Sequence, residues 1–196
     1  MRKSLIVLLG PTGVGKTELS LRLAEHLSCP ILSADSRQLY RDMVVGTAAP
    51  TPEQLARVQH YFVGSLALTD YYSAACYEEE AIALTERLFA SHDTLLLTCG
   101  SMMYIDAVCN GIDEIPTISD EIRHEVIAQY EQKGLDSLLE ELHRLDPVFY
   151  EQVDRQNPKR IIHAVEICRM AGQPYSALRT NARKERSFDV VKVGLN

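Results

Sequence analysis

No apolar run in these 196 residues approaches the length that crosses a bilayer, which excludes a membrane-spanning helix. The five cysteines, Cys29, Cys76, Cys99, Cys109 and Cys168, are scattered. They make no C-x-x-C pair and no zinc spacing, so neither a disulfide framework nor a zinc finger fits them. They read as reduced, mostly buried thiols of a cytoplasmic protein. The six histidines form no H-E-x-x-H pattern. No repeat and no low-complexity tract is present, which removes solenoids and disordered tails. Arg2 and Lys3 lead straight into a strand, so no secretory leader is expected. An excess of positive charge is lacking too: the net charge of −7 argues against a uniformly basic nucleic-acid binder.

The charge is unevenly spread. From Asp70 to Asp146 there are 17 Asp and Glu against 4 Lys and Arg, whereas Arg155 to Arg186 holds 8 Lys and Arg against only Glu166 and Glu185. A basic segment on an acidic chain has two readings, a local polyanion-facing surface or a solvated helix face paired with the acidic region. Composition is otherwise that of a globular protein, 46% hydrophobic and 24% charged, with length enough for one core and a small subdomain.

One stretch organises the chain. Gly10-Pro11-Thr12-Gly13-Val14-Gly15-Lys16-Thr17 fits G-x-x-x-x-G-K-[ST], the phosphate-binding P-loop. The apolar run Ser4–Leu9 before it predicts a buried parallel strand, and Leu19, Leu23 and Leu27 after it predict a helix. Successive backbone N–H groups and the positive end of that helix converge on one spot. Lys16 adds a mobile charge there, and the Thr17 hydroxyl is placed to hold Mg²⁺. The motif specifies a polyphosphate or pyrophosphate, not ATP in particular.

A second short strand, Pro30–Ala34, runs into Asp35-Ser36-Arg37-Gln38-Leu39-Tyr40. Ligands of open α/β sheets sit beyond the carboxyl ends of strands, so Asp35 lies beside the P-loop if the two strands are neighbours. A helix N-cap is the other reading of Asp35. Gly46, Thr47, Pro50 and Pro52 make Met43 to Pro52 a loop, with Thr51 capping a short helix to Val58. His60–Val63 is a short strand or turn. A helix to about Ala90 follows Tyr72-Ser73, with Glu78-Glu79-Glu80 on its solvated face. A third apolar strand, Thr94–Thr98, meets Cys99-Gly100-Ser101 and a helix to Cys109; Ser101 is either a second hydroxyl at the sheet edge or an ordinary cap. That strand ends without an Asp, so the second metal-holding acid of P-loop NTPases is missing.

Beyond Gly111 the pattern is helical. Ile122, Val126 and Tyr130 form one stripe, and Leu135, Leu138, Leu139, Leu142 and Leu145 another, punctuated by Gly134 and Asp146-Pro147. Pro158 opens a third helix, on which Lys159 and His163 share a face beside Arg160. Val190–Leu195 is a strand, and its lying last leads us to expect a continuation. The fold class expected is α/β, a P-loop NTPase-like parallel sheet with a helical insertion, truncated at its C-terminus. Boundaries are set at 1–112 for the core, 113–186 for the insertion and 187–196 for a strand returning to the core.

These motifs together resemble the tRNA dimethylallyltransferase (tRNA isopentenyltransferase) family. The likeness rests on Gly10-Pro11-Thr12-x-x-Gly15-Lys16-Thr17, Asp35-Ser36-x-Gln38-x-Tyr40, Gly46-Thr47-Ala48-x-Pro50, Tyr72-Ser73, Gly100-Ser101-x-x-Tyr104 and Asn157-Pro158-x-Arg160, in order along the whole chain. The resemblance implies transfer of a dimethylallyl group from dimethylallyl pyrophosphate to N6 of the adenine beside the anticodon in tRNAs reading U-initial codons. It implies a pyrophosphate site at Gly10–Thr17, Mg²⁺ at Thr17, and catalytic roles for Asp35 as base and for Lys16 and Thr17. It implies tRNA contact by Asp35, Ser36, Arg37, Gln38, Ser101 and Arg123, and by Lys159, Arg160, Ile161, Ile162 and His163, which makes the insertion RNA-facing. A cytoplasmic monomer is expected.

Three positions depart from the family pattern: Cys99 stands where a glycine is usual, Ala49 where a lysine is, and His163 where a stronger base is. Two other activities remain open on the motifs, a P-loop kinase of a small metabolite with Asp35 as base, and a prenyltransferase of free adenine nucleotides. A non-catalytic RNA-binding fragment is the third alternative.

Overall fold

Three apolar runs and two flanking strands meet in one sheet because only parallel pairing with both faces covered satisfies such continuous hydrophobicity. The computed structural model describes residues 2–180 and 183–196, which form two compact units. The first runs to Ile112 and resumes at Arg183–Asn196; the second begins at Asp113.

In the first unit, β1 (Ser4–Leu9), β2 (Ile31–Ala34), β3 (His60–Tyr61), β4 (Thr94–Cys99) and β5 (Asp189–Gly194) lie in the order β3-β2-β4-β1-β5, all pairs parallel. Strands β1 and β2 are therefore not neighbours, the condition on which the sequence reading placed Asp35 beside the P-loop. Strand β4 enters between them, pairing Ser4 with Thr94 on one side and Ile31 with Leu96 on the other. Its Leu95, Leu96 and Leu97 are all fully buried, and this apolar strand occupies the centre of the sheet. Alternation along the strands assigns the layers. Leu5, Val7, Leu32, Leu95 and Leu97 face α3 (Ala74–Leu88) and α4 (Met102–Asn110) through Tyr77, Ala81, Ile105 and Val108. Leu8, Ile31 and Leu96 face Leu21 and Ala24 of α1 (Lys16–Leu27). Thr51 caps α2 (Pro52–Arg57) in a reciprocal box with Gln54, as the sequence suggested.

Of the three consecutive glutamates, Glu78 is not solvated but 6% exposed. Arg186 Nη2 donates to its Oε1 at 2.7 Å, the Ile112 N–H donates to Oε2 at 3.0 Å, and Lys184 Nζ donates to Oε2 at 3.3 Å. Arg186 also donates to the carbonyls of Ala107 and Val108 that end α4. This clasp, with the Lys184 N–H on Asn110 O at 2.8 Å, draws residues 183–186 into the sheet-bearing unit, away from the helical segment with which the sequence reading grouped them.

The second unit packs α5 (Asp120–Leu145), broken at Gly134 where φ is 76°, against α6 (Pro147–Gln152), α7 (Pro158–Ala171) and α8 (Tyr175–Leu178). Val126, Leu138, Leu142, Phe149, Ile161, Ala164 and Val165 form its core. Asp146, read from sequence only as punctuation, is fully buried. Its Oδ1 accepts from Phe149 N–H at 2.9 Å and from the Ser176 hydroxyl at 2.7 Å, and its Oδ2 accepts from Ser176 N–H at 2.6 Å. No helix among the described residues is long and apolar enough to cross a membrane.

The Glu78 clasp sets a stability test. Burial pushes the Glu78 carboxyl up, but Arg186, the Ile112 N–H and Lys184 outweigh it and hold it below the ordinary carboxylate range. A depressed folded-state value contributes stability above the unfolded pKa that is lost as pH falls through the folded one. Arg186→Ala should cost about 3 kcal/mol in urea unfolding at neutral pH, because it strands a buried charge. Glu78→Gln should flatten the acid limb of the stability profile.

Candidate functional site

The carboxyl ends of β1, β4 and β2 open onto a cleft of about 560 Å³. Thr12, Gly13, Gly15, Lys16 and Thr17 of the loop after β1 line it, as do Asp35 to Gln38 after β2, Gly100 and Ser101 after β4, and Gly46 to Ala48. This is the ligand position expected of an open α/β sheet. The sheet order gives it a centre: the β4 turn lies between the other two.

Gly15 caps α1 at φ 97°, a left-handed conformation that glycine adopts without strain, and so the first helical N–H groups face the cleft. Lys16 Nζ donates to Gly10 O and Pro11 O, both at 2.7 Å, which holds the ammonium at the loop itself. Gly10, Pro11 and the half-buried Val14 shape the loop without lining the cleft. Behind the loop, a side chain on Gly10 would come within 2.9 Å of Leu195 O, and the Leu195 N–H donates to Leu9 O at 2.8 Å, so the end of β5 buttresses the cradle.

Asp35 divides its two oxygens. Oδ1 accepts from the Arg37 and Gln38 N–H groups at 2.9 and 3.3 Å, the turn-forming role that makes Asp a good cap. Oδ2 makes no hydrogen bond among the described residues and lies over Gly100, where a Cβ would come within 1.7 Å of it. No helix follows Asp35, so it is not an N-cap; Oδ1 stabilises a turn and Oδ2 is left over Gly100.

Ser101 precedes α4 but makes no side-chain cap bond. Its hydroxyl instead accepts the Ser36 N–H at 3.0 Å and donates to Ser36 Oγ at 2.9 Å, tying the β4 turn to the β2 turn. Gln38 is likewise committed: Oε1 accepts from Ser33 Oγ at 2.9 Å, and Nε2 donates to Thr47 O and Ala48 O, both at 3.1 Å. Its side chain pins the 46–48 loop, with Ala48 at φ 50°, and is not free to read a ligand. Arg37 is exposed and makes no ion pair among the described residues, so with Ala49 uncharged the cleft's cationic side chains are Lys16 and Arg37.

Sequence reasoning missed Ser20, Ser33, His60 and Thr98, which also line the cleft. Thr98 was recoverable as the carboxyl edge of an apolar strand. His60 carried no signal. Its Nδ1 lies 2.8 Å from Val58 O, an acceptor only, so Nδ1 bears the proton and Nε2 is an acceptor; burial lowers its pKa and keeps it neutral.

No group of three His, Cys, Asp or Glu among the described residues could hold a metal. Thr17 offers the cleft a hydroxyl oxygen, which suits a cation that completes its shell with substrate oxygens and water, as Mg²⁺ does.

The remaining site residues belong to the helical unit. Lys159, Arg160 and His163 are exposed on α7, and Arg123 is half-buried near the start of α5. Ile161 is fully buried in the core and Ile162 packs against it, so the side chain of Ile161 is unavailable to a partner. Four of the basic residues between Arg155 and Arg186 are committed to carboxylates: Arg155 to Glu151, Arg169 to Glu141, and Lys184 and Arg186 to Glu78.

A parallel sheet with a glycine-rich phosphate turn at its carboxyl edge defines a P-loop, NTPase-like core. Residues 38–196 match the family model described as IPP transferase. The chain belongs to that family. It is 62% identical over 193 residues to a protein of Parabacteroides distasonis named tRNA dimethylallyltransferase 2, covering 98% of this chain and 64% of that one. The chain thus spans just under two thirds of that relative's length. The crystal structure of a tRNA delta(2)-isopentenylpyrophosphate transferase from Staphylococcus epidermidis superposes with a TM-score of 0.57 at 25% identity, over 98% of this chain and 63% of that one. A eukaryotic dimethylallyltransferase acting on tRNA shares the fold with a TM-score of 0.80 at 21% identity, over 98% and 48%.

Gln38→Ala should release the loop without unfolding the unit. Amide hydrogen exchange at residues 46–48 is expected to quicken about tenfold, as the loop loses the Gln38 bonds to Thr47 O and Ala48 O.

Proposed function

We propose that the protein transfers the dimethylallyl group of dimethylallyl pyrophosphate to N6 of the adenine beside the anticodon in tRNAs reading U-initial codons. The observation that carries this reading is the open Oδ2 of Asp35, held over Gly100 in the same cleft as the P-loop. Family membership, and the absence of an acid at the end of β4, point the same way: the loop cradles a leaving pyrophosphate and not a γ-phosphate to be transferred.

In the proposed reaction the N6 lone pair attacks C1 of the allyl group as the C1–O bond to pyrophosphate breaks. The electrons of that bond leave with the pyrophosphate. Backbone N–H groups of Gly13 to Thr17 and the Lys16 ammonium meet the charge as it grows, where preorganised donors are worth most. Adenine N6 is a poor nucleophile because its lone pair is delocalised; its proton passes to Asp35 Oδ2 during attack. The Arg37 and Gln38 N–H groups keep Oδ1 occupied, so the second oxygen faces the base. Bound Mg²⁺, held through Thr17 and phosphate oxygens, would further neutralise the leaving group. The adenine must leave its stack to reach Asp35, and Ser36 and Arg37 are the side chains beside it with donors to offer. Lys159 and Arg160 supply an exposed cationic face toward RNA, with His163, Arg123 and Ser101 as further contacts. A monomer in the cytoplasm is part of the reading.

The test is incubation with tRNA and labelled dimethylallyl pyrophosphate, using this chain and the longest native reading frame that contains it. Label on adenine is expected; hydrolysis of ATP or transfer of its γ-phosphate to a small metabolite instead would overturn the reading, and preference for AMP over tRNA would redirect it to free nucleotides. Asp35→Asn should lower kcat by a factor on the order of 10²–10⁴ with little change in pyrophosphate affinity. Gly100→Ala should approach the same loss by displacing the carboxylate, while the urea midpoint moves little.

A further inference from the structure

The helical unit sorts its basic residues by what they already touch. Arg155 and Arg169 are ion-paired with glutamates. Lys159 and Arg160 have no carboxylate partner among the described residues, and neither does Arg179, which is exposed just past α8. The sequence reading singled out Lys159 to His163 and passed over Arg179, because nothing in its spacing links it to α7.

The structure makes that link through rings. His163, one turn from Lys159 on the same face of α7, lies with its ring centroid 6.1 Å from that of Tyr175. The Arg179 guanidinium carbon lies 5.5 Å from the centroid of Tyr175 and 5.8 Å from that of Phe149. Phe149 and Tyr175 meet edge to face at 4.8 Å. The buried Asp146 carboxylate fixes both rings by binding the Phe149 and Ser176 N–H groups. Lys159, His163, Tyr175 and Arg179 therefore form one strip in which two adjoining rings lie between two cations. Arg179 is held in place by packing and not by a carboxylate, so its charge remains available and little ordering is required of it on binding.

We infer that Tyr175 and Arg179 extend the α7 surface into a single-stranded RNA track, with Arg179 on a phosphate and the half-buried Tyr175 beside a base. This rests on the tRNA reading of the α7 face. A strip meant for an acidic protein would need no aromatic interleaving, whereas every nucleotide offers both an anion and a π-face.

The test is binding of an anticodon stem-loop RNA to the whole chain by fluorescence anisotropy, titrated at several salt concentrations. Arg179→Ala should weaken binding by about threefold to tenfold and lower the slope of log Kd against log salt by about 0.7 to 1, one phosphate contact. Arg179→Glu should weaken it further, and Arg179→Lys should restore the slope. Arg155→Ala, which removes a cation already paired, should leave both unchanged. Circular dichroism would establish that each variant is folded. If Lys159→Ala weakens binding but Arg179→Ala and Arg179→Glu do not, the track ends at α7 and the inference is overturned alone. If Lys159→Ala also has no effect, the RNA reading of this face falls with it.

Discussion

The position of β4 is the constraint on which the site depends. Backbone hydrogen bonding to β1 on one side and β2 on the other fixes three turns at one edge of the sheet. The turn after β4 is the part that must be thin. Asp35 can hang over it only because Gly100 has no side chain. Ser101 then fastens the β2 turn through Ser36, and Gln38 fastens the 46–48 loop in its turn. A chain of short-range hydrogen bonds thereby carries the rigidity of the buried sheet into loops that would otherwise be mobile.

Much of this was legible in the sequence and some was not, for identifiable reasons. The P-loop is legible because glycine positions and a Lys-Thr pair encode a backbone shape locally. Asp35 is legible because it ends an apolar run. Strand order is not local: nothing between Ser4 and Ala34 says that residues 94–99 will come between the two strands. The same limit hid His60, which reaches the cleft only through topology. Glu78 was misread because its neighbours are acidic and helical periodicity around it is weak; the partner that buries it, Arg186, lies 108 positions along the chain. Asp146 looked like a helix stop and is one, yet its second oxygen ties down α8, a role no spacing discloses.

The uneven charge of the chain takes a different meaning once partners are assigned. The basic stretch is two populations interleaved in sequence. One holds the fold together, at Glu78 and at Glu141. The other projects from α7 and from Arg179 with its charge unspent. Counting charges could not separate them, because both solutions offered for the stretch, internal pairing and an outward surface, are present at once.

The contact between Gly10 and Leu195 carries a temporal implication. The loop at residues 10–17 is shaped against a carbonyl about 180 positions further along the chain, and Leu195 is seated by its bond to Leu9. As the chain emerges from a ribosome, the N-terminal strand and helix can form early, but the wall behind the cradle does not exist until residue 195 has been made. The anion site is therefore encoded well before the strand that backs it. A nascent chain shorter than that carries the motif without its backing, which delays tight phosphate binding until the sheet has closed.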